Sequence, residues 1–262
     1  MNTVAFLTSA HLPLDDRIFY HQAISLSKKF KTSVIASTET FRSDRDGVTV
    51  ISEDGSGWRK REKVRFFIEN LELIKPQLVI CSEPLPILAA AKYRRNSPTK
   101  VSILYDVTEW YPSKKHLEKL PVISKVLIFL KLLILNLYAS TLCSGFIFGE
   151  YYKSLPYRLL FPFKKWRITG YYPDLRYIEF VERLLIPDKI CLGYTGKISS
   201  EKGIVNFFDA ARALKMKKPE VGVRLKIIGW CYNTSDKEIF ERLCNESRDL
   251  DRKSTRLNSS HT

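Results

Sequence analysis

Short apolar runs alternate with amphipathic segments along most of this chain, and that alternation restricts the fold more than any other feature. Residues 3–9, 33–37, 48–51, Leu78–Cys81 and 101–105 read as strands. Between them, 16–30 reads as a helix with Ile18, Phe19, Ala23, Leu26 and Phe30 on one face. Lys60–Ile74 reads as a second helix, stopped by Pro76, and 84–93 as a third, entered through prolines. Strands without strict in–out alternation, each separated by a helix, predict a parallel sheet covered on both faces. The expected class is therefore α/β, a doubly wound Rossmann-like domain whose ligand sites lie beyond the carboxyl ends of its strands. The rhythm breaks over 173–187 and restarts at Ile190. A first domain at 1–185 and an incomplete second one at 186–250 follow.

The last twelve residues, 251–262, have no apolar periodicity. They resemble a translated sequencing adapter and are expected to be a non-native polar tail on a piece of a longer protein. The chain as a whole is basic, with a formal charge of +15 and a pI near 9.6. Such a charge suits an anionic partner. The cations are scattered and match no nucleic-acid-binding module, so nucleic acid is not expected as a partner. Five widely spaced cysteines without a C-x-x-C pair predict reduced thiols in a cytoplasmic protein, with neither a zinc site nor a disulfide framework.

The most apolar stretch is 122–148, interrupted by Lys131 and Asn136. A long core helix is the first expectation for it. Lysines 114, 115, 119, 125 and 131 make contact with an anionic membrane surface the second. A true span comes third, because an ionisable residue near its middle is costly.

Three loops carry candidate chemistry. After the first strand, His11, Asp15, Asp16 and Arg17 precede a helix. Asp16 could cap it, whereas Arg17 in the first turn opposes the helix dipole. After the strand at 101–105 come Asp106, Thr108 and Glu109 beside Trp110 and Tyr111. Carboxylates next to aromatic rings suit sugar recognition. In the second domain the apolar run from Ile190 stops at Gly196, and Lys197 and Lys202 precede a helix opened by Gly203. A glycine-punctuated strand-to-helix turn with two lysines suits a phosphate or diphosphate.

Together these segments resemble the GT4-type glycosyltransferases, retaining enzymes of the GT-B fold. Asp15-Asp-Arg-Ile-Phe19 with Gln22-Ala-Ile-Ser-Leu26 resembles the family's D-T-R-I-F and E-A-x-S-L. Tyr105-Asp-Val-Thr-Glu109 followed by Tyr111-Pro112 resembles Y-D-V-H-E-x-Y-P. Tyr171-Tyr-Pro-Asp-Leu175 resembles an N-Y-P pattern, and 192–203 resembles the opening of the donor-binding domain. The resemblance implies a nucleotide-sugar donor and a saccharide or lipid-linked acceptor, while the cysteines and the lysine-flanked stretch at 122–148 set the expected location, cytoplasmic with contact to the inner face of a membrane as its second element. It implies donor-diphosphate contacts by Gly196, Lys197 and Lys202, with Asp16, Arg17, Asp106 and Glu109 on the acceptor side of the cleft. It implies no metal and no cofactor.

Two departures stand out. Thr108 occupies the position where the family usually has His, so the catalytic residue stays unassigned. The family's E-x7-E segment is expected beyond residue 250. Glu238 and Glu246 share that spacing but read as a solvated helix face. The chain is therefore expected to be inactive as it stands. The competing reading is a non-catalytic, basic peripheral membrane protein on the same scaffold.

Overall fold

The computed structural model describes residues 2–108, 121–170, 182, 188–231, 233–247 and 251–254. Glu109, the Tyr111-Pro112 and Tyr171–Leu175 motifs, and lysines 114, 115 and 119 lie outside the described residues. The chain divides into two compact units, Met1–Glu179 and Phe180–Thr262.

The first unit carries an eight-stranded sheet. Its strands are β1 (Thr3–Thr8), β2 (Lys31–Ala36), β3 (Phe41–Arg45), β4 (Val48–Ser52), β5 (Leu78–Cys81), β6 (Ser102–Val107), β7 (Gly145–Phe148) and β8 (Lys165–Ile168). Their spatial order is β3-β4-β2-β1-β5-β6-β7-β8, and all neighbours are parallel except β3 and β4. The chain winds outward from β1 in one direction through β2 and in the other from β5 onward. The switch point therefore falls between β1 and β5.

The sequence reading missed β3. Asp46 and Gly47, at φ 53° and 76°, form the two-residue turn that folds β3 back on β4. An Asp-Gly pair between short strands is a strong hairpin signal. It was overlooked because the residues of β3, Phe-Arg-Ser-Asp-Arg, carry almost no apolar weight.

One face of the sheet is covered by α2 (Lys60–Ile74), α3 (Pro84–Asn96), the end of α4 (Val122–Leu142) and α5 (Tyr151–Leu160). Phe67, Leu71, Ile87, Ala90, Ala139 and Tyr157 pack there against Ala5, Leu7, Val79, Ile103 and Phe148. On the opposite face a π-type helix, Asp16–Ala23, runs on into α1 (Ile24–Ser27). It seats Ile18, Phe19 and Ala23 on Val4, Phe6, Val34 and Ile80. The helix begins at Asp15, whose carboxylate accepts from the backbone amides of Arg17 and Ile18 at 2.9 and 3.0 Å. The cap is thus Asp15 and not Asp16, which is exposed in the first turn.

The core-helix expectation for 122–142 is corrected. Of α4, Asn136, Ala139 and Ser140 are buried, while Ile123, Leu127 and Ile134 are 79%, 64% and 65% exposed. Apolar residues occupy every side of this helix, so periodicity could not indicate which side meets the sheet.

The second unit has a three-stranded parallel sheet in the order β11-β10-β9. It comprises β9 (Lys189–Lys197), β10 (Gly222–Trp230) and β11 (Asp251–Ser254), with α6 (Ile204–Lys217) and α7 (Thr234–Glu246) in the connections. Phe208, Ala211, Phe240 and Leu243 pack against Val223, Leu225 and Ile227. Residues 251–254, placed outside the fold by the sequence reading, pair in parallel with Arg224–Ile227. Ladder bonds use backbone groups, so a polar segment can extend an open strand without an apolar face of its own. Glu238 and Glu246 lie exposed on α7, as expected.

Candidate functional site

In the first unit the loops after β1, β5 and β6 meet at the rim. Arg17 crosses from the π-type helix to Asp106 at the end of β6. Its Nε donates to Asp106 Oδ2 at 2.8 Å and its Nη2 to Oδ1 at 2.6 Å. The side chains are only 5% and 1% exposed. Gln22 Nε2 donates to Asp106 Oδ2 at 2.6 Å, and Arg17 also donates to the carbonyl and hydroxyl of Thr169 at 3.2 and 3.1 Å. This resolves the oddity of a cation in the first helical turn. A buried, bidentate carboxylate outweighs the unfavourable dipole end.

Arg17, held from behind by Asp106, lines a cleft of about 420 Å³ together with His21, Gln22, Leu26, Ile80, Ile147 and Thr169. Thr108 sits just past β6, its backbone amide donating to Asp106 O at 3.0 Å. Lys153 Nζ donates to Thr108 O at 2.7 Å. Asp16 stays in solvent at the start of the helix.

A second cluster occupies the switch point, and sequence reasoning missed its centre, Glu83. This carboxylate follows β5 and turns back under the loop after β1. It accepts from Thr8 Oγ1 and the Ser9 backbone amide, each at 2.8 Å. His11 stands between two carboxylates, with Nδ1 3.1 Å from Asp15 and Nε2 3.6 Å from Glu83. Burial pushes the Glu83 carboxyl above its ordinary range, against the opposing pull of His11, Ser9 and Thr8. For Asp15 burial also pushes upward, but His11 and the amides of Ile18 and Arg17 prevail and hold it below its ordinary range. Ser-Glu-Pro at a strand end looks like a simple helix entry. Only the sheet order brings Glu83 to His11.

In the second unit, the last residue but one of β9 is Gly196 with φ 112°, a conformation open essentially to glycine alone. Gly196 faces Gly229 of β10. A Cβ on Gly229 would lie 2.0 Å from Gly196 O, so two glycines are needed for the strands to close at this end. The chain continues through buried Ile198 and Ser199 into a 3-10 turn, Ser200–Lys202, and then through Gly203 at φ 82° into α6. Tyr194 holds the loop together. Its hydroxyl lies 2.7 Å from Lys197 O and 3.4 Å from Lys202 O. The two lysines are thereby fixed to one short loop between a strand end and a helix N-terminus. Lys197 is half-buried and Lys202 exposed. The sequence marked the lysines and glycines but not Tyr194, which reads there as an ordinary strand residue. Among the described residues no cluster of His, Cys, Asp and Glu has the arrangement of a metal site.

No protein-family model and no curated protein sequence matches this chain. Solved structures do. Sucrose-phosphate synthase from Thermosynechococcus elongatus aligns over 98% of this chain and 71% of its own, at 13% identity and a TM-score of 0.64. The Anabaena protein HepE, in complex with UDP and glucose, aligns over 98% and 70%, at 11% identity and 0.61. The lipopolysaccharide outer core galactosyltransferase WaaB aligns over 97% and 68%, at 14% identity and 0.57. At these identities the likeness is one of fold, and it shows the α/β, GT-B-like class read from the sequence.

Proposed function

We propose that the full-length protein is a retaining glycosyltransferase that moves a sugar from a nucleotide-diphosphate donor to a saccharide or lipid-linked acceptor, without a metal or cofactor. The observation that carries this reading is the segment from Gly196 to Gly203, in which two lysines lie on the turn that leads into the N-terminus of α6. Departure of a diphosphate from a sugar builds negative charge on the leaving group, and fixed cations beside a helix N-terminus lower that barrier. Lys197 and Lys202 take this role. Neighbouring folds that hold UDP and glucose support it over a non-catalytic scaffold.

The Arg17–Asp106 pair and Gln22 serve the acceptor side by fixing the cleft wall. Both oxygens of Asp106 are already engaged, so it acts by holding Arg17 and Gln22 in place. His11, held between Asp15 and Glu83, is the nearest candidate for binding an acceptor hydroxyl at the switch point.

Calorimetric titration with a panel of nucleotide sugars that includes UDP-glucose tests the donor site. Binding is expected in the full-length protein, and Lys197→Ala/Lys202→Ala should weaken it by about a hundredfold or more, since each charge-assisted contact contributes about 1.5–3 kcal/mol. Unchanged affinity in the double variant, or no binding to any donor, overturns the reading.

A further inference from the structure

We propose that α4 and α5 dock the first unit on an anionic phospholipid membrane, with α4 lying in the plane of the headgroup–acyl boundary. This goes beyond sugar transfer and does not depend on it.

Helix α4 is 21 residues long, about 32 Å at 1.5 Å per residue. Its stretch Ile123–Leu142 is apolar and long enough to cross a bilayer. Two observations favour lying on the membrane over crossing it. The last turns are fastened to the domain. Asn136 accepts from Tyr105 Oη at 3.1 Å and donates to Tyr157 Oη at 2.9 Å. Lys164 Nζ caps the C-terminus by donating to the carbonyls of Ser140, Thr141 and Cys143 at 2.6–2.8 Å. A span would tear these bonds out of the core. The exposed apolar side chains ahead of those turns, Ile123, Val126, Leu127, Phe129, Leu130 and Ile134, cover a broad arc of the helix opposite the side that buries Asn136, Ala139 and Ser140.

The surroundings identify the partner. Helix α5, joined to α4 through Asn136 and Tyr157, exposes Tyr151, Tyr152, Leu155 and Leu159, and Phe163 just beyond it is wholly exposed. Tyrosines beside aliphatic residues are the side chains that settle at a membrane–water interface. From residue 121 to 170 the chain carries seven cations (Lys125, Lys131, Lys153, Arg158, Lys164, Lys165 and Arg167) against one carboxylate, Glu150. A second copy of the chain would bring these like charges face to face. An anionic lipid surface matches both the apolar arc and the cations.

Vesicle flotation of the full chain is the test, with phosphatidylcholine alone or mixed with phosphatidylglycerol. The protein should float with the anionic vesicles, stay down with neutral ones and be released by alkaline carbonate. Lys125→Ala/Lys131→Ala should lower partitioning about thirtyfold, at roughly 1 kcal/mol per cation. Leu127→Glu/Ile134→Glu should abolish it. Leu127, Lys131 and Ile134 are exposed and Lys125 half-buried, and the thermal melts of both variants should match the parent, which separates lost docking from lost fold. Equal binding to neutral vesicles, no flotation, or resistance to carbonate overturns the proposal. So does a dimer in sedimentation equilibrium that the glutamate variant dissociates.

Discussion

The rim of the first unit and the lysine loop of the second are both strand-to-helix turns, yet their charges are arranged in opposite ways. At the rim, Arg17 is spent on Asp106, and His11 stands between Asp15 and Glu83. In the loop, Lys197 and Lys202 share seven residues with one carboxylate, Glu201, ahead of a helix N-terminus. A region whose charges neutralise one another holds a shape. A region with excess positive charge recognises an anion. The two should therefore respond differently to mutation: rim changes should cost stability, and lysine changes should cost binding.

The sharpest way to break that contrast is Asp106→Ala. It strands a buried guanidinium, and the first unit should lose about 3–5 kcal/mol in a denaturant melt. A loss under 1 kcal/mol would show that the rim is not organised around this pair. Next comes Gly229→Ala, which drives a methyl into Gly196 O. About 1–3 kcal/mol is expected, felt in the second unit and not the first, as proteolysis of each unit would reveal.

Glu83→Gln sharpens the contrast through pH. The native pKa of Glu83 is raised, so its stabilising contribution is complete below the ordinary value of 4.5 and is lost as pH rises through the native one. The stability of the parent relative to the variant should accordingly fall from acid toward neutral pH. A flat difference would show that burial does not raise the Glu83 carboxyl. The smallest effect is expected of Lys202→Ala, within about 0.5 kcal/mol of the parent in a melt because the side chain is exposed. A larger loss would mean that the loop, like the rim, is structural.

What could be read in the sequence follows from how local each signal is. The alternation of strands and helices is local, and it gave α2 at its observed ends, Lys60 and Ile74. The glycine–lysine loop is local too. Arg17 and Asp106 were each visible as candidates, but they lie 89 residues apart, and nothing in either segment announces the other. Glu83 was invisible for the same reason, since it meets Ser9 and His11 only because β5 lies beside β1. Helix α4 failed differently. Its existence was plain, but apolar residues all around it hid which side was covered.

The strand that the sequence concealed governs how this molecule behaves in a crowd. β3 and β8 are the two open margins of the large sheet, where backbone groups could recruit a neighbour's strand. Arg42 and Arg45 stand exposed along one margin, and Lys165 and Arg167 along the other. Two molecules approaching by their β8 margins must press cation on cation before a single ladder bond forms, a barrier that added salt should lower. At β3 the charges alternate instead, with Arg42 paired to Glu53 and Arg45 to Asp46, so the hairpin guards its margin by being short and polar.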